Sequence, residues 1–192
     1  MIEALRAWRK AHGISQQALA ERLNVSQAAV SRWEAGVDAP SLAVLGRIKV
    51  LLDPATVQAM SLEELFVREK NSLHVLFDLD GARLLATSKG YQRIFPRFSR
   101  LIGQYFGDKL VGETKAILED RQLHSSIKLG EIALMSGTTE RHIDHRYDQA
   151  LKHHWTICFR KTGSLILADV SFELCDQAEE TKIGKIVRID EL

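Results

Sequence analysis

Apolar positions recur at helical spacing through the first part of the chain and switch to strand-like alternation from Leu73 onward. Ile2, Leu5 and Trp8 predict a first helix that ends at Gly13. Ser15 suits the N-cap of a second helix, Gln16 to Leu23, with Ala18, Leu19 and Leu23 on its apolar face, and Asn24 breaks it. Ser26 caps a third helix, Gln27 to Ala35, and Gly36 suits the position after its end. Pro40 and Ser41 open a fourth helix with Leu42, Val44, Leu45, Ile48, Leu51 and Leu52 available for burial, which Asp53-Pro54 stops. "SLEEL", with Glu64 three residues after Ser61, has the form of a capping box and predicts a short fifth helix from Ser61. "REKNS", Arg68 to Ser72, reads as a polar linker.

The pattern beyond the linker is mixed. "LHVLFDLDGARLLATS" holds two apolar runs split by Asp80-Gly81, a hairpin signal. Lys89 to Gly130 reads as several short helices punctuated by Pro96, Gly103, Gly107 and Gly112. Strand signals then return in "EIALM", in "HHWTICFRK" with Trp155, Ile157 and Phe159 on one face, and in "LILADVSFEL" with Ile166, Ala168, Val170, Phe172 and Leu174 on one face. Thr162-Gly163-Ser164 predicts the turn between the last two, and "GKIVRIDEL" a final short strand or tail.

Composition sets limits on this picture. The 192 residues suit one large domain or two small ones, and 45% hydrophobic residues suffice for real cores. The net charge of +1 conceals segregation. Residues 1–50 carry seven basic against four acidic side chains, residues 81–109 six against one, and the chain from Asp169 onward three against seven. A basic front is the sign expected of a phosphate-binding surface. The two cysteines, Cys158 and Cys175, form no CxxC and are expected to be reduced and buried. The N-terminus lacks a signal-peptide pattern and no apolar run approaches membrane-spanning length, so the expected location is cytoplasmic, with no membrane partner.

The stretch "SQQALAERLNVSQAAVSRWEAG" places two short helices across a polar break of three residues. Ala20 is small where the helices would cross, and Leu23, Val25 and Val30 would fix the angle. Gln27, Ala28, Ser31 and Arg32 are left on the outer face of the third helix. Gln can pair bidentately with adenine, Arg with guanine, and Ala can meet the thymine methyl. Over "LRAWRKAHGISQQALAERLNVSQAAVSRWEAGVDAPSLAVL" the chain resembles the Cro-like phage repressor (XRE) family of helix-turn-helix regulators. That resemblance implies a five-helix bundle that binds operator DNA as a dimer. It implies a phosphate-clamping role for Gln16, base-facing positions for Gln27, Ala28, Ser31 and Arg32, and a structural ion pair between Arg9 and Glu34. The loop "GVDAPS" departs from the family in carrying Asp38 where many members place a base. Phosphate contacts are therefore expected from backbone amides or from Arg47.

The order hairpin, short helices, antiparallel strands resembles a PAS-type domain, most closely in "LFDLDGARLLATSKGYQRIF". The implied fold is an all-α helix-turn-helix bundle over residues 1–68 followed by an α+β domain, an antiparallel sheet with helices, over 73–192. PAS domains commonly dimerise and often hold a ligand between sheet and helices, but no flavin-type Cys motif or haem ligand is evident, and no cofactor is assigned. "YQRIFPRFSRLIGQYF" could wall a pocket for an acidic ligand or add a DNA-facing surface. Its plainer reading is a helix pair whose Phe95, Phe98, Tyr105 and Phe106 fill the core while its arginines are solvated. His142, Asp144, His145, His153 and His154 cluster in sequence, but neither a strand nor a helix gives them firm metal-ligand spacing, and no metal is assigned.

These readings converge on a homodimeric, sequence-specific regulator of transcription whose partner is double-stranded operator DNA, with a small-molecule effector as a further partner. No catalytic motif is present, so the chain is not expected to be an enzyme: there is no Gly-rich phosphate loop, nucleophile elbow or self-cleavage pair. Two other readings are a metal-binding, small-molecule-binding or enzyme-like module joined to the helix-turn-helix, and an antitoxin-type interaction protein. A cupin barrel is disfavoured by the absence of an HxH pair and by the helical stretch in the second half.

Overall fold

The computed structural model of the protein describes residues 1–145, 151–163, 165–176 and 178–192. Two compact units divide the described residues, Met1–Ala59 and Met60–Leu192.

The first unit contains α1 (Ile2–Ala11), α2 (Gln16–Leu23), α3 (Gln27–Glu34) and α4 (Leu42–Leu52). Local chemistry sets each boundary. Ser15 Oγ accepts from Ala18 N and Ser26 Oγ from Ala29 N, so both inner helices start on side-chain caps. Asn24 ends α2 in the left-handed region at φ 49°, a conformation that Asn tolerates better than most residues. Leu5, Leu19, Leu23, Val30, Trp33 and Ile48 meet in one core, and Ala20, fully buried, admits the close approach of α2 and α3.

The fifth helix differs from expectation. It begins at Pro54 rather than Ser61 and runs unbroken as α5 to Glu69. Asp53 is the reason: its carboxylate accepts from Thr56 Oγ1 at 2.5 Å and from Ala55 N at 3.1 Å, and Pro54 follows at the position where a missing N–H costs nothing. Those bonds hold the Asp53 carboxyl below its ordinary range. Ser61 thus lies inside a helix, and the division between the units falls within α5, ahead of the polar stretch read as a linker.

The second unit carries an antiparallel sheet of β1 (Leu73–Asp78), β2 (Arg83–Thr87), β3 (Ile132–Thr139), β4 (His153–Thr162), β5 (Leu165–Leu174) and β6 (Lys182–Arg188), in the order β2-β1-β5-β4-β3-β6. Gly81 and Ala82, at φ 76° and 51°, turn the first hairpin as Asp80-Gly81 predicts. Between β2 and β3 lie α6 (Lys89–Ile94), two 3₁₀ turns, α7 (Gly112–Glu119) and α8 (Arg121–Leu129). The turn between β4 and β5 includes Ser164, which lies outside the described residues.

Alternation divides the sheet's side chains between two faces. Val75, Ile157, Ala168 and Val170 face the short helices, where Phe98, Phe106 and Ile117 complete the main core. Leu76, Leu85, Ala86 and Leu167 face the other way and pack with Met60 and Val67 of α5. The aromatic stretch follows its plainer reading: Phe98 and Phe106 are buried, Phe95 and Tyr105 half-buried, and Arg93, Arg97 and Arg100 exposed.

Candidate nucleic-acid interface and an internal cavity

In the first unit, α3 is locked on its inner side and open on its outer side. Arg9 of α1 donates Nε to Glu34 Oε1 at 2.7 Å and Nη2 to Oε2 at 2.8 Å, a bidentate pair, and Nη1 to the Ile14 carbonyl at 3.0 Å. The Arg9 bond holds the Glu34 carboxyl below its ordinary range against the opposing effect of burial, with help from Gln16. Arg9 is therefore a structural cation, as the family resemblance implies.

Gln16 Nε2 donates to Glu34 Oε2 at 3.0 Å, and Gln27 Nε2 donates to Gln16 Oε1 at 2.9 Å. One polar chain thus runs Arg9, Glu34, Gln16, Gln27, from the bundle interior to the exposed start of α3. Gln27, Ala28 and Arg32 are exposed and Ser31 is half-buried beside them. Arg32 Nε stands 3.5 Å from Asp38 Oδ2, with each side chain 51% exposed, so this contact is weak. Asp38 Oδ1 also accepts from Ala39 N at 2.8 Å. Arg47 lies on α4, half-buried with Nε enclosed, apart from the exposed face of α3 in sequence.

The second unit encloses a cavity of about 110 Å³ between sheet and helices. Its wall is carbon from Val75, Tyr91, Phe95, Ile117, Phe159, Val170, Phe172 and their neighbours, with one polar edge formed by Thr114, His142 and His153. His153 Nδ1 lies within hydrogen-bond distance of the Leu151 carbonyl, which can only accept. In its neutral form His153 therefore accepts at Nε2, and His142 Nε2–H donates to it at 2.9 Å. His142 Nδ1 is then the acceptor for the Thr114 hydroxyl at 2.5 Å. This chain satisfies every nitrogen without a positive charge. Burial, and secondarily His153, push His142 down to about 3, and burial lowers His153 as well.

The sequence grouped these histidines but not their partners. His142 and His153 meet each other, while Asp144 faces Arg141 at 3.5 Å and His145 packs edge-on to Phe106. Thr114, from a helix with no motif of its own, was not foreseen. On the other face of the sheet Asp169 was also missed. Its carboxylate takes Lys70 Nζ at 2.7 Å and Arg160 Nη2 at 2.8 Å, with His74 Nδ1 at 2.9 Å. Among the described residues, the donors able to share a metal ion are His154, Cys175 and Glu179.

Residues 5–53 match the helix-turn-helix family, of XRE type. The match covers the first unit alone, and the second unit is an α+β domain whose antiparallel sheet has the order β2-β1-β5-β4-β3-β6. No curated protein sequence matches the chain. Among solved structures it is similar to a variant of RsLOV, at 11% identity and a TM-score of 0.42, covering 66% of this chain and 71% of that one. It is similar to the PAS domain of Bordetella pertussis BvgS, at 10% identity and 0.41, covering 63% and 89%. A third is the PAS domain of nitrogen regulation protein NR(II) from Vibrio parahaemolyticus, at 13% and 0.37, covering 59% and 98%. No helix among the described residues is long and apolar enough to cross a membrane.

Proposed function

We propose that the chain is a sequence-specific regulator that binds operator DNA as a homodimer, answers to a small apolar effector, and catalyses no reaction. The observation that carries this reading is the exposed face of α3. Gln27, Ala28 and Arg32 stand outward from a helix whose inner side is held by Val30, Trp33 and the Arg9–Glu34 pair. A helix fixed in this way can enter a major groove with its side chains pre-aimed. Gln27 keeps its amide oxygen and one N–H for a base while bonded to Gln16. Ser31 completes the reading face, and Gln16 and Arg47 are the side chains assigned to phosphate.

The cavity supports the effector. Its polar edge is neutral and its imidazole nitrogens are paired among themselves, which suits an apolar molecule rather than a charged one. Ala168 and Val170 touch the cavity, and Asp169 between them points to the opposite face, where it holds Lys70 just beyond α5. An effector that shifts β5 would bias the seating of α5, and so favour one dimer arrangement over another.

The test is selection from random oligonucleotides with full-length protein at two salt concentrations. The expected product is an inverted repeat with half-sites about 34 Å apart. The double variant Gln27→Ala, Arg32→Ala should lose that preference while remaining folded. Sequence-blind binding by the wild type, or an unchanged preference in the variant, would remove the base-reading assignment.

A further inference from the structure

The crossover from β5 to β6 passes the ends of β4 and β3, because β6 pairs on the far side of β3. Three donor side chains of different kinds meet along this crossover. His154 sits near the start of β4, paired with Thr138 of β3 on one side and Glu173 of β5 on the other. Cys175 follows two residues after Glu173, so its side chain returns to the same face as His154. This face is opposite the one on which His153 and Phe172 line the cavity. Glu179 comes from the crossover itself, and its backbone is pinned: Lys152 Nζ donates to the Glu179 carbonyl, and Cys175 N to the Lys152 carbonyl at 3.3 Å.

We propose that His154 Nε2, Cys175 Sγ and a Glu179 carboxylate oxygen bind one Zn²⁺ ion, with water in the fourth position. The donor atoms all lie within 4.8 Å of one another, close enough for one ion to reach all three. His154 Nδ1 lies 3.0 Å from Thr138 Oγ1. When Nδ1–H donates to that hydroxyl, the lone pair is left on Nε2, which faces Glu179 Oε2 at 3.1 Å. This outer partner is the usual device for fixing the tautomer and aim of a ligating imidazole. A lone pair and a carboxylate oxygen in contact repel unless a proton or a cation lies between them.

The mixed N, S, O set suits a borderline-soft tetrahedral ion better than Mg²⁺ or Ca²⁺. Binding displaces the thiol proton to solvent. The ion's two positive charges are then balanced by one thiolate and one carboxylate. The nearby Lys152 ammonium is offset by Glu140 at 3.7 Å. Closing the site would tie the crossover to β4 and so hold β6 on the edge of the sheet.

The test uses full-length protein stripped with chelator, then titrated with Zn²⁺ by calorimetry and with Co²⁺ by absorption. One Zn²⁺ per chain is expected, with a Co²⁺ spectrum showing tetrahedral d–d bands and a thiolate charge-transfer band. Cys175→Ser should abolish the charge-transfer band, whereas Cys158→Ser should retain it. Thr138→Val removes only the hydroxyl behind His154 and should weaken Zn²⁺ binding by about 10- to 100-fold. Circular dichroism of the stripped variants checks that each is folded. No stoichiometric uptake, a charge-transfer band that survives Cys175→Ser, or one that vanishes in Cys158→Ser would overturn the assignment.

Discussion

Replacing Asp169 by Asn removes one charge at nearly constant volume and tests what holds the end of α5 to the sheet. The side chain is 4% exposed and serves Lys70, Arg160 and His74 at once. Burial by itself raises its pKa, but the bonds from His74 and Lys70 outweigh burial and hold the carboxyl below its ordinary range. Asn keeps one acceptor oxygen, and its amide nitrogen faces the remaining partners as donor against donor. Each charged hydrogen bond lost is worth about 1.5–3 kcal/mol. Lys70 is 19% and Arg160 33% exposed, so water recovers part of that loss. The expected net cost is about 2–3 kcal/mol. With a urea slope near 2 kcal/mol/M, the midpoint of the C-terminal transition falls by about 1–1.5 M. The matched control is Glu119→Gln, which breaks the 3.7 Å pair with Lys115 where both side chains are more than half exposed; its shift stays within about 0.5 kcal/mol. The assay is urea unfolding of full-length protein followed by circular dichroism. Because the native carboxyl titrates below the ordinary 3.8, its contribution is complete above that value. The contribution is lost as pH falls through the native pKa, and the difference from the variant shrinks with it. An Asp169→Asn protein within about 0.5 kcal/mol of wild type at neutral pH would refute the argument and remove the physical basis for a route from β5 to α5.

Three further outcomes follow from other sites. Asp38→Ala releases Arg32 and removes a negative charge beside the α3 face, so operator affinity by fluorescence anisotropy should rise roughly fivefold, about 1 kcal/mol, with little change in stability; weaker binding would mean that Asp38 positions Arg32 productively. Gly137→Ala places a Cβ 2.4 Å from the Lys182 carbonyl oxygen and 2.6 Å from the Trp155 ring, so the C-terminal domain should lose about 2–3 kcal/mol in the same urea assay, and an unchanged midpoint would show that β3 and β6 separate easily. Native His142 titrates near 3, against 6.5 when unperturbed, so the unfolded chain takes up the proton first as pH falls. Stability is then full above the unperturbed value, and from pH 6 to 5 wild type should lose about 1 kcal/mol more than His142→Gln; parallel pH curves would contradict a neutral buried imidazole.

What could be read from the sequence was what short-range chemistry decides. Ser15, Asn24 and Ser26 act on backbone within three residues of themselves, so the two inner helices start at their expected residues, although α3 ends at Glu34, one residue short of Ala35. Asp80-Gly81 likewise settles its own turn. Ser61 shows how a local rule fails. "SLEEL" has the letters of a capping box, but a cap works only where a helix begins. Asp53 and Pro54 had already started this helix seven residues earlier with a better set of bonds. Two valid local signals competed, and the one that nucleated upstream won because nothing between Pro54 and Ser61 interrupts a helix.

The chemistry of the second unit follows a different logic, since its partners are chosen by strand register. His142 and His153 are eleven residues apart and meet at 2.9 Å, whereas the adjacent His153 and His154 point to opposite faces, one to the cavity and one to Cys175 and Glu179. Alternation foretells that split once the strand is known, but not which residue waits on each side. Asp169 makes the same point from β5. Its neighbours Ala168 and Val170 belong to the cavity wall, and the alternation that places them there turns Asp169 toward Lys70, 99 residues away. Asp169 in the middle of "LILADVSFEL" looks like a flaw in an apolar strand, yet a charge is tolerated on a buried face only where cations are brought to it. Its presence required a basic partner on whatever covered that face. The sequence could state that requirement, and it is met by Lys70 just beyond α5, His74 on β1 and Arg160 on β4.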